Sequence, residues 1–372
     1  MKASHRLGAA TPLLICALFA GCAGRPDAAV LQPVAAAGAG GEHVNILTAT
    51  NRTVVGKGFG ASPSDATTYE AYDITVPTKR TGAAITYPTA KPDAERQYVV
   101  RRRSELTQGQ FETAVGQNAQ ADGTVGVFVH GYNYSFQEAL FRAVQVAADG
   151  HTSAVPVLFS WPSAASVTGY VADRDAVLYS RDRLDALLFD LSHARGIKRI
   201  VLFGHSMGAF LVMEALRELT LQGRQDVLDK ISVVLASPDI DVDVFRSQLR
   251  QIGVLKTPIT LLVARQDRAL MASSLIAGDR PRVGRLDIDD PVIQEAARKE
   301  HLRVIDITAV DGTDGLGHDR YASLARFGAQ LGNFENNQRT GAADVGAYVF
   351  DAAGAIVSSP FRLAGSLARV GQ

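Results

Sequence analysis

"VLFGHSMGAF", residues 201–210, decides how this chain is read. Four apolar or small residues and His205 run up to Ser206, which has glycines two places away on either side, Gly204 and Gly208. The segment then continues as "LVMEALRELT", whose apolar spacing is helical. A G-x-S-x-G pattern between a buried strand and a helix is the pattern of a nucleophile elbow. Small flanking residues let such a turn close without Cβ clashes. In a chain with 34 glycines a five-residue pattern also arises by chance. The neighbouring elements therefore have to carry the reading.

They form βαβ units. Short apolar runs at 125–129, 155–159, 200–203, 231–236, 259–264 and 302–307 suit strands buried on both faces. Helical spacing lies between them, at 135–148, 174–194, 207–222, 241–251 and 290–300. This alternation predicts an α/β fold with a mainly parallel sheet flanked by helices. In such sheets ligands bind beyond the carboxyl ends of the strands. The polar candidates fall there: Ser206 after the third run, Asp239 after the fourth, Asp267 after the fifth and His318 after the sixth. Ser, Asp, His is the chain order of the α/β-hydrolase triad.

Each type has a chemical reason. A serine hydroxyl is a weak nucleophile until a neutral imidazole takes its proton, and a carboxylate fixes the imidazole tautomer. Of the eight histidines, only His301 and His318 follow both aspartates. His301 sits where a helix hands over to a strand, at the wrong end of the sheet, so His318 is the candidate base. Asp267 holds the usual acid position. Asp239 stays as the alternative acid, its bland reading being a turn or N-cap residue before the helix near 241. The oxyanion donors expected are the N–H of Met207 and, from "HGYN" at 130–133, the N–H of Tyr132. His130 reads as a structural residue of that turn, and strand alternation points His205 away from the serine. Trp161 is expected to wall the pocket, its bland reading being packing at a strand end, and Asp173-Arg174-Asp175 to form surface ion pairs.

Several blocks together resemble a family of bacterial α/β-hydrolases of unassigned function. They are "ILTATNR", "YEAYDITVP", "VFVHGYNYSFQEALFRAVQVAADG", "VLFSWPS", "FGHSMGAFLVMEALREL", "VVLASPDIDVDVF", "DRAL" and "GHDRY", in that order over residues 45–325. The resemblance implies a serine-hydrolase core with Ser206, Asp267 and His318 in triad positions. It implies esterase- or lipase-like activity only by analogy, and no substrate; the alternatives are an acyltransferase or amidase with the same triad, or a non-catalytic envelope lipoprotein that uses the fold as a binding scaffold.

The remaining segments set the context. Lys2, Arg6 and the apolar "LGAATPLLICALFA" form a signal peptide over 1–21, too short to span a membrane. "FAGC", 19–22, is similar to a bacterial lipobox with phenylalanine in place of leucine, so Cys22 is the expected lipidation site; ordinary cleavage is the alternative. Both cysteines, Cys16 and Cys22, lie here, which leaves no disulfide for the mature chain. The expected location is the cell envelope, as an outer-membrane lipoprotein facing the periplasm. Residues 22–43 read as a flexible tether. The hydrolase domain covers 44–330, with an N-terminal β extension at 44–105, and a tail follows at 331–372. In that tail Tyr348, Val349, Ala352, Ala353, Ile356 and Val357 recur at helical spacing before Pro360, which predicts a helix docked on the protein or lying on the membrane.

Composition is that of a globular chain of 372 residues, 47% hydrophobic and 20% charged. Net charge is +0, so no overall field recruits nucleic acid. There is no P-loop, no cysteine–histidine zinc pattern and no dinucleotide fingerprint, and no metal or cofactor is expected. The expected partners are a small-molecule or lipid ester and, through Cys22, a membrane.

Overall fold

The computed structural model describes residues 25–34, 41–119, 122–151, 153–325, 349–350 and 356–357. The expected signal peptide, 1–21, and Cys22 lie outside the described residues.

The apolar runs all become strands. In chain order the elements are β1 (Glu42–Val55), β2 (Gly58–Val76), β3 (Val99–Leu106), α1 (Gln108–Asn118), β4 (Thr124–Val129), α2 (Phe136–Gly150) and β5 (Val155–Ser160). Then come α3 (Tyr170–His193), β6 (Arg199–His205), α4 (Met207–Leu221), α5 (Gln225–Leu228), β7 (Ile231–Ala236) and α6 (Val242–Ile252). The last are β8 (Ile259–Val263), α7 (Arg268–Ile276), α8 (Pro291–Lys299), β9 (Leu302–Asp306), α9 (Arg320–Leu324), β10 (Val349–Phe350) and β11 (Ile356–Val357).

Among the described residues one sheet holds every strand, in the order β11-β10-β9-β8-β7-β6-β4-β5-β1-β2-β3. Strands β4 to β9 pair in parallel. The N-terminal extension is an antiparallel β1-β2-β3 meander, joined to the parallel part by β1 against β5. From β4 the chain moves outward to β5, then returns to place β6 on the other side of β4. A reversal of this kind is where open α/β sheets place their ligand sites, here at the carboxyl ends of β4 and β6.

Helices cover both faces. On one, α3, α4 and α6 bury Leu184, Leu188, Leu211, Leu216 and Phe245 against Val127, Leu202 and Val233. On the other, α2 buries Phe136, Leu140, Phe141 and Val144 with Phe128 and Leu158. Alternation along β6 serves both faces, with Ile200 and Leu202 on the first and Phe203 against the second. Helix starts follow local chemistry. Ser135 and Glu138 make a capping box on α2, and Asp241 caps α6 through the N–H groups of Asp243 and Val244.

Two segments differ from the sequence reading. Residues 25–34, assigned by composition to a flexible tether, pack on the domain. Asp27 caps a 3-10 turn at Ala28–Leu31, Leu31 is buried in the second cluster, and Val34 N–H donates to the Val100 carbonyl. The composition rule missed the single buried leucine that holds this strap. In the tail, the described residues are strands and not the expected helix. Val349 pairs with Ile305 of β9, and Phe350 with Ile356 of β11. Valine, isoleucine and phenylalanine are residue types that favour strands, and β9 would otherwise present an open edge. The rest of the tail lies outside the described residues.

Candidate active site

The elbow residue is held in a conformation that side chains avoid. Ser206 has φ 54° and ψ −120°. Such backbone costs about 1–3 kcal/mol and persists only where neighbours over-determine it. Here Ser206 N–H donates to Ala236 at the end of β7, and its carbonyl accepts from Ala209 and Asp239. Serine at a helix N-cap ordinarily bonds the first turn. Ser206 is the N-cap of α4, yet its hydroxyl makes no capping bond. The strained turn thus leaves that oxygen uncommitted at the sheet edge.

The flanking glycines are required by packing. A Cβ on Gly208 would lie 2.3 Å from the His130 carbonyl oxygen, and one on Gly204 would lie 2.8 Å from Ala209 Cα. Gly208 thus lets the start of α4 approach the end of β4, and Gly204 lets that first turn close on β6.

Asp267 and His318 meet. His318 Nδ1 is 2.7 Å from Asp267 Oδ2, and Asp267 is fully buried. The other oxygen of Asp267 accepts from Leu270 N–H and so caps α7, which fixes the carboxylate relative to β8. Burial disfavours a charged His318, but the Asp267 charge and hydrogen bond, helped by Asp314 and Asp239, raise its pKa above the ordinary value. The loop before His318 is shaped by Asp314, whose carboxylate accepts the N–H groups of Leu316, Gly317 and His318. His205 connects this loop to the elbow: its ring lies 4.7 Å from that of His318, and its Nε2 is 3.3 Å from the His318 carbonyl. Burial, then the neighbouring His318, hold the His205 pKa far below the ordinary value.

Asp239, the alternative acid, has other partners. It accepts from Tyr170 Oη at 2.9 Å and Ser273 Oγ at 2.7 Å, and pairs with buried Arg282 at 3.1 Å. His301 follows α8 at an exposed position with φ 52°, away from the carboxyl edge.

The HGYN turn lies against the serine. A Cβ on Gly131 would fall 2.9 Å from Ser206 Cβ and 2.9 Å from His205 Nδ1. Tyr132 is pinned by its hydroxyl, which donates to the Ser166 and Val167 carbonyls at 3.1 and 2.5 Å. Met207 opens α4 directly after Ser206, and Tyr132 follows Gly131 in the turn. His130 is a structural residue. Its Nδ1 is 2.9 Å from the Gly131 carbonyl, its Nε2 3.1 Å from Ser160 Oγ, and burial followed by nearby Arg52 lowers its pKa to about 3.

Trp161 supports this turn from below and does not wall a pocket. It is fully buried, stacks on His130 at 4.9 Å and donates to the His130 carbonyl at 2.8 Å. Asp173 is likewise not a surface charge. Fully buried, it accepts from Asn133 N–H, Ser163 Oγ and Ala164 N–H, tying the HGYN turn to the loop after β5. Arg52 is a third support, donating to Ser160 Oγ and to the Ser163 and Tyr134 carbonyls. The sequence carried one signal for it, a charge at the end of an otherwise uncharged stretch of β1, "ILTATN".

The family model described as "Alpha/beta hydrolase of unknown function (DUF900)" matches residues 107–333, more than half of the chain. The chain belongs to this family. Its match spans the elbow, the HGYN turn and the Asp267 and His318 loops, and leaves the β1–β3 meander outside. Among solved structures, a predicted CIB-like hydrolase from Thermoplasma acidophilum is similar at 15% identity and TM-score 0.33, covering 63% of this chain and 91% of that one. Fungal esterases from Rhizomucor miehei are similar at 12% identity and TM-score 0.33, over 80% and 86% of the two chains. Likeness at this level carries no argument about activity. No curated protein matches the chain. Among the described residues, no group of three or more His, Cys, Asp or Glu side chains is arranged to hold a metal ion.

Proposed function

We propose that this α/β hydrolase is a serine hydrolase that cleaves a carboxylic ester through an acyl-Ser206 intermediate. The observation that carries the reading is the buried Asp267–His318 pair at 2.7 Å, at the same sheet edge as a strained Ser206 whose hydroxyl caps nothing. In this reading Ser206 Oγ attacks the ester carbonyl carbon while His318 Nε2 takes its proton. Asp267 keeps the Nδ1 proton in place, so that Nε2 is the free acceptor, and stabilises the imidazolium. The oxyanion forms against the N–H groups of Met207 and Tyr132. Collapse breaks the bond to the alcohol oxygen, which leaves with the proton from His318, and water reverses the sequence to free the acid.

An acyltransferase or amidase would use the same residues with another acceptor or leaving group. The ester reading is the simpler one, because an alkoxide leaves more readily than an amide nitrogen. The same proposal includes acylation of Cys22 and a place in the cell envelope, on the strength of "FAGC".

Rapid mixing with a p-nitrophenyl ester tests the chemistry. A burst of p-nitrophenol equal to the enzyme concentration, absent in Ser206→Ala, is the expected result. Steady release with no burst and no loss in Ser206→Ala would remove Ser206 from the mechanism.

A further inference from the structure

The strap at 25–34 ends beside the candidate site. The Arg25 guanidinium donates to the Asn133 carbonyl and Asn133 Oδ1, both at 2.7 Å, and to the Ala165 carbonyl. It also lies 3.6 Å from Glu138 at the start of α2, and the following residue, Pro26, accepts from Gln137. Asn133 and Ala165 both have positive φ, 64° and 51°, so Arg25 holds two strained turns at once. One of them follows Tyr132 directly. The chain therefore enters the domain at the rim of the site and not at a remote edge.

Only Ala23 and Gly24 separate Arg25 from Cys22. Three residue steps reach at most about 11 Å. An acyl chain on Cys22 would hold this rim against a bilayer with very little slack, whereas a long free tether would leave the orientation open.

The rim is dressed for such contact. Val167, two residues beyond Ala165, is 77% exposed, and Val171 in the first turn of α3 is 68% exposed. Leu316, two residues before His318, is exposed, as are Met271, Leu275 and Ile276 on α7. Two contacts knit these segments together. Tyr170 and Ser273 both donate to Asp239, joining α3 to α7, and Arg268 N–H donates to the Leu316 carbonyl, joining α7 to the His318 loop. Isolated exposed apolar residues need no explanation, but a group on connected loops around one site marks an interaction surface.

We infer that the carboxyl edge of the sheet docks on the bilayer carrying the Cys22 acyl chains, so that the substrate is an ester-linked amphiphile drawn from that membrane. The occupant follows from the short covalent reach from Arg25 to Cys22, and the inference rests on the anchor and the esterase activity proposed above. Partial entry of Val167, Val171 and Leu316 into the interface turns the Ser206 edge of the sheet toward the lipids, and buried apolar area supplies the binding strength.

The test uses the mature lipidated protein in phosphatidylethanolamine–phosphatidylglycerol vesicles, with an environment-sensitive dye on a single introduced thiol. Val167→Cys reports the proposed face. Val254→Cys reports the amino edge, before β8, where the side chain is equally open at 69% exposure. Spin-labelled lipid should quench the dye at 167 several-fold more than at 254; equal quenching, or more at 254, overturns the docking. A second arm compares a fluorogenic ester lipid in the vesicle with a soluble short-chain ester. Val171→Glu/Ile276→Glu should lower turnover of the vesicle-borne ester at least tenfold while sparing the soluble one. Equal effects on both esters overturn the substrate class. A wild type that cleaves neither ester counts against the esterase reading, and the quenching arm still decides the orientation.

Discussion

Replacing Asp267 by Asn separates the two jobs of this carboxylate. Its Oδ1 caps α7 through Leu270 N–H at 2.9 Å, and an asparagine oxygen can keep that bond. Its Oδ2 faces His318 Nδ1 at 2.7 Å, and there the amide must present either an oxygen already used by the cap or an NH₂ group. With NH₂ toward Nδ1, that nitrogen becomes the acceptor and the proton moves to Nε2, the position that must take the serine proton. The wrong tautomer cost about 10⁴ in kcat in the serine-protease precedent, about 5 kcal/mol in barrier. Folding should survive, because the cap is retained and the side-chain volume hardly changes. The pH profile gives a second reading. Turnover needs neutral His318, so wild-type kcat/KM should rise with pH through a His318 pKa that lies above the ordinary value of about 6.5. Removing the Asp267 charge leaves burial less opposed, so the midpoint of the residual activity should move to lower pH. Stopped-flow and steady-state rates from pH 5 to 9 on soluble ester, with circular dichroism as a fold control, make the measurement. Activity within tenfold of wild type and an unmoved midpoint would refute the assignment, as would that full loss appearing in Asp239→Asn alone.

Other substitutions have different expected outcomes. Asp239→Asn leaves buried Arg282 without its counter-charge and should cost about 3–5 kcal/mol in chemical denaturation, with fluorophosphonate labelling retained at low temperature. Gly131→Ala places a methyl group 2.9 Å from Ser206 Cβ; the turn must give way, and kcat should fall about 10²–10³ with the fold intact by circular dichroism. Asp173→Ala strands three donors under the HGYN turn, at about 1–3 kcal/mol each if left unpaired, and should lower both the melting temperature and kcat. Cys22→Ser should move the protein from the membrane to the soluble fraction on cell fractionation, and persistence in the membrane would argue for another attachment.

The parallel sheet was legible because its strands are short, apolar and punctuated by helical spacing, and because the polar candidates all follow strands. Position favours Asp267 as the acid but does not exclude Asp239. What distinguishes them is the third dimension: His318 folds back to one, while Tyr170, Ser273 and Arg282 surround the other. Position at the active edge of the sheet does not tell whether Trp161 walls a pocket or packs beneath a turn, and local charge pattern does not report that Asp173 is buried. Asp173 sits among charged neighbours in sequence, yet the first turn of α3 directs it inward to Asn133 and Ala164. The strap was hidden by its alanine- and proline-rich composition, since one leucine and one arginine do its docking. In the tail, pairs of apolar residues spaced a few positions apart fit a helix or two short strands. The open edge of β9 decides for strands.

The central claim is that Ser206 is the nucleophile. Its most direct test is reaction of the whole protein with a fluorophosphonate, followed by peptide mass mapping of the adduct. The account predicts one adduct, on Ser206, whose formation slows sharply in His318→Ala. Labelling of another residue, or no labelling of a folded protein, would contradict it.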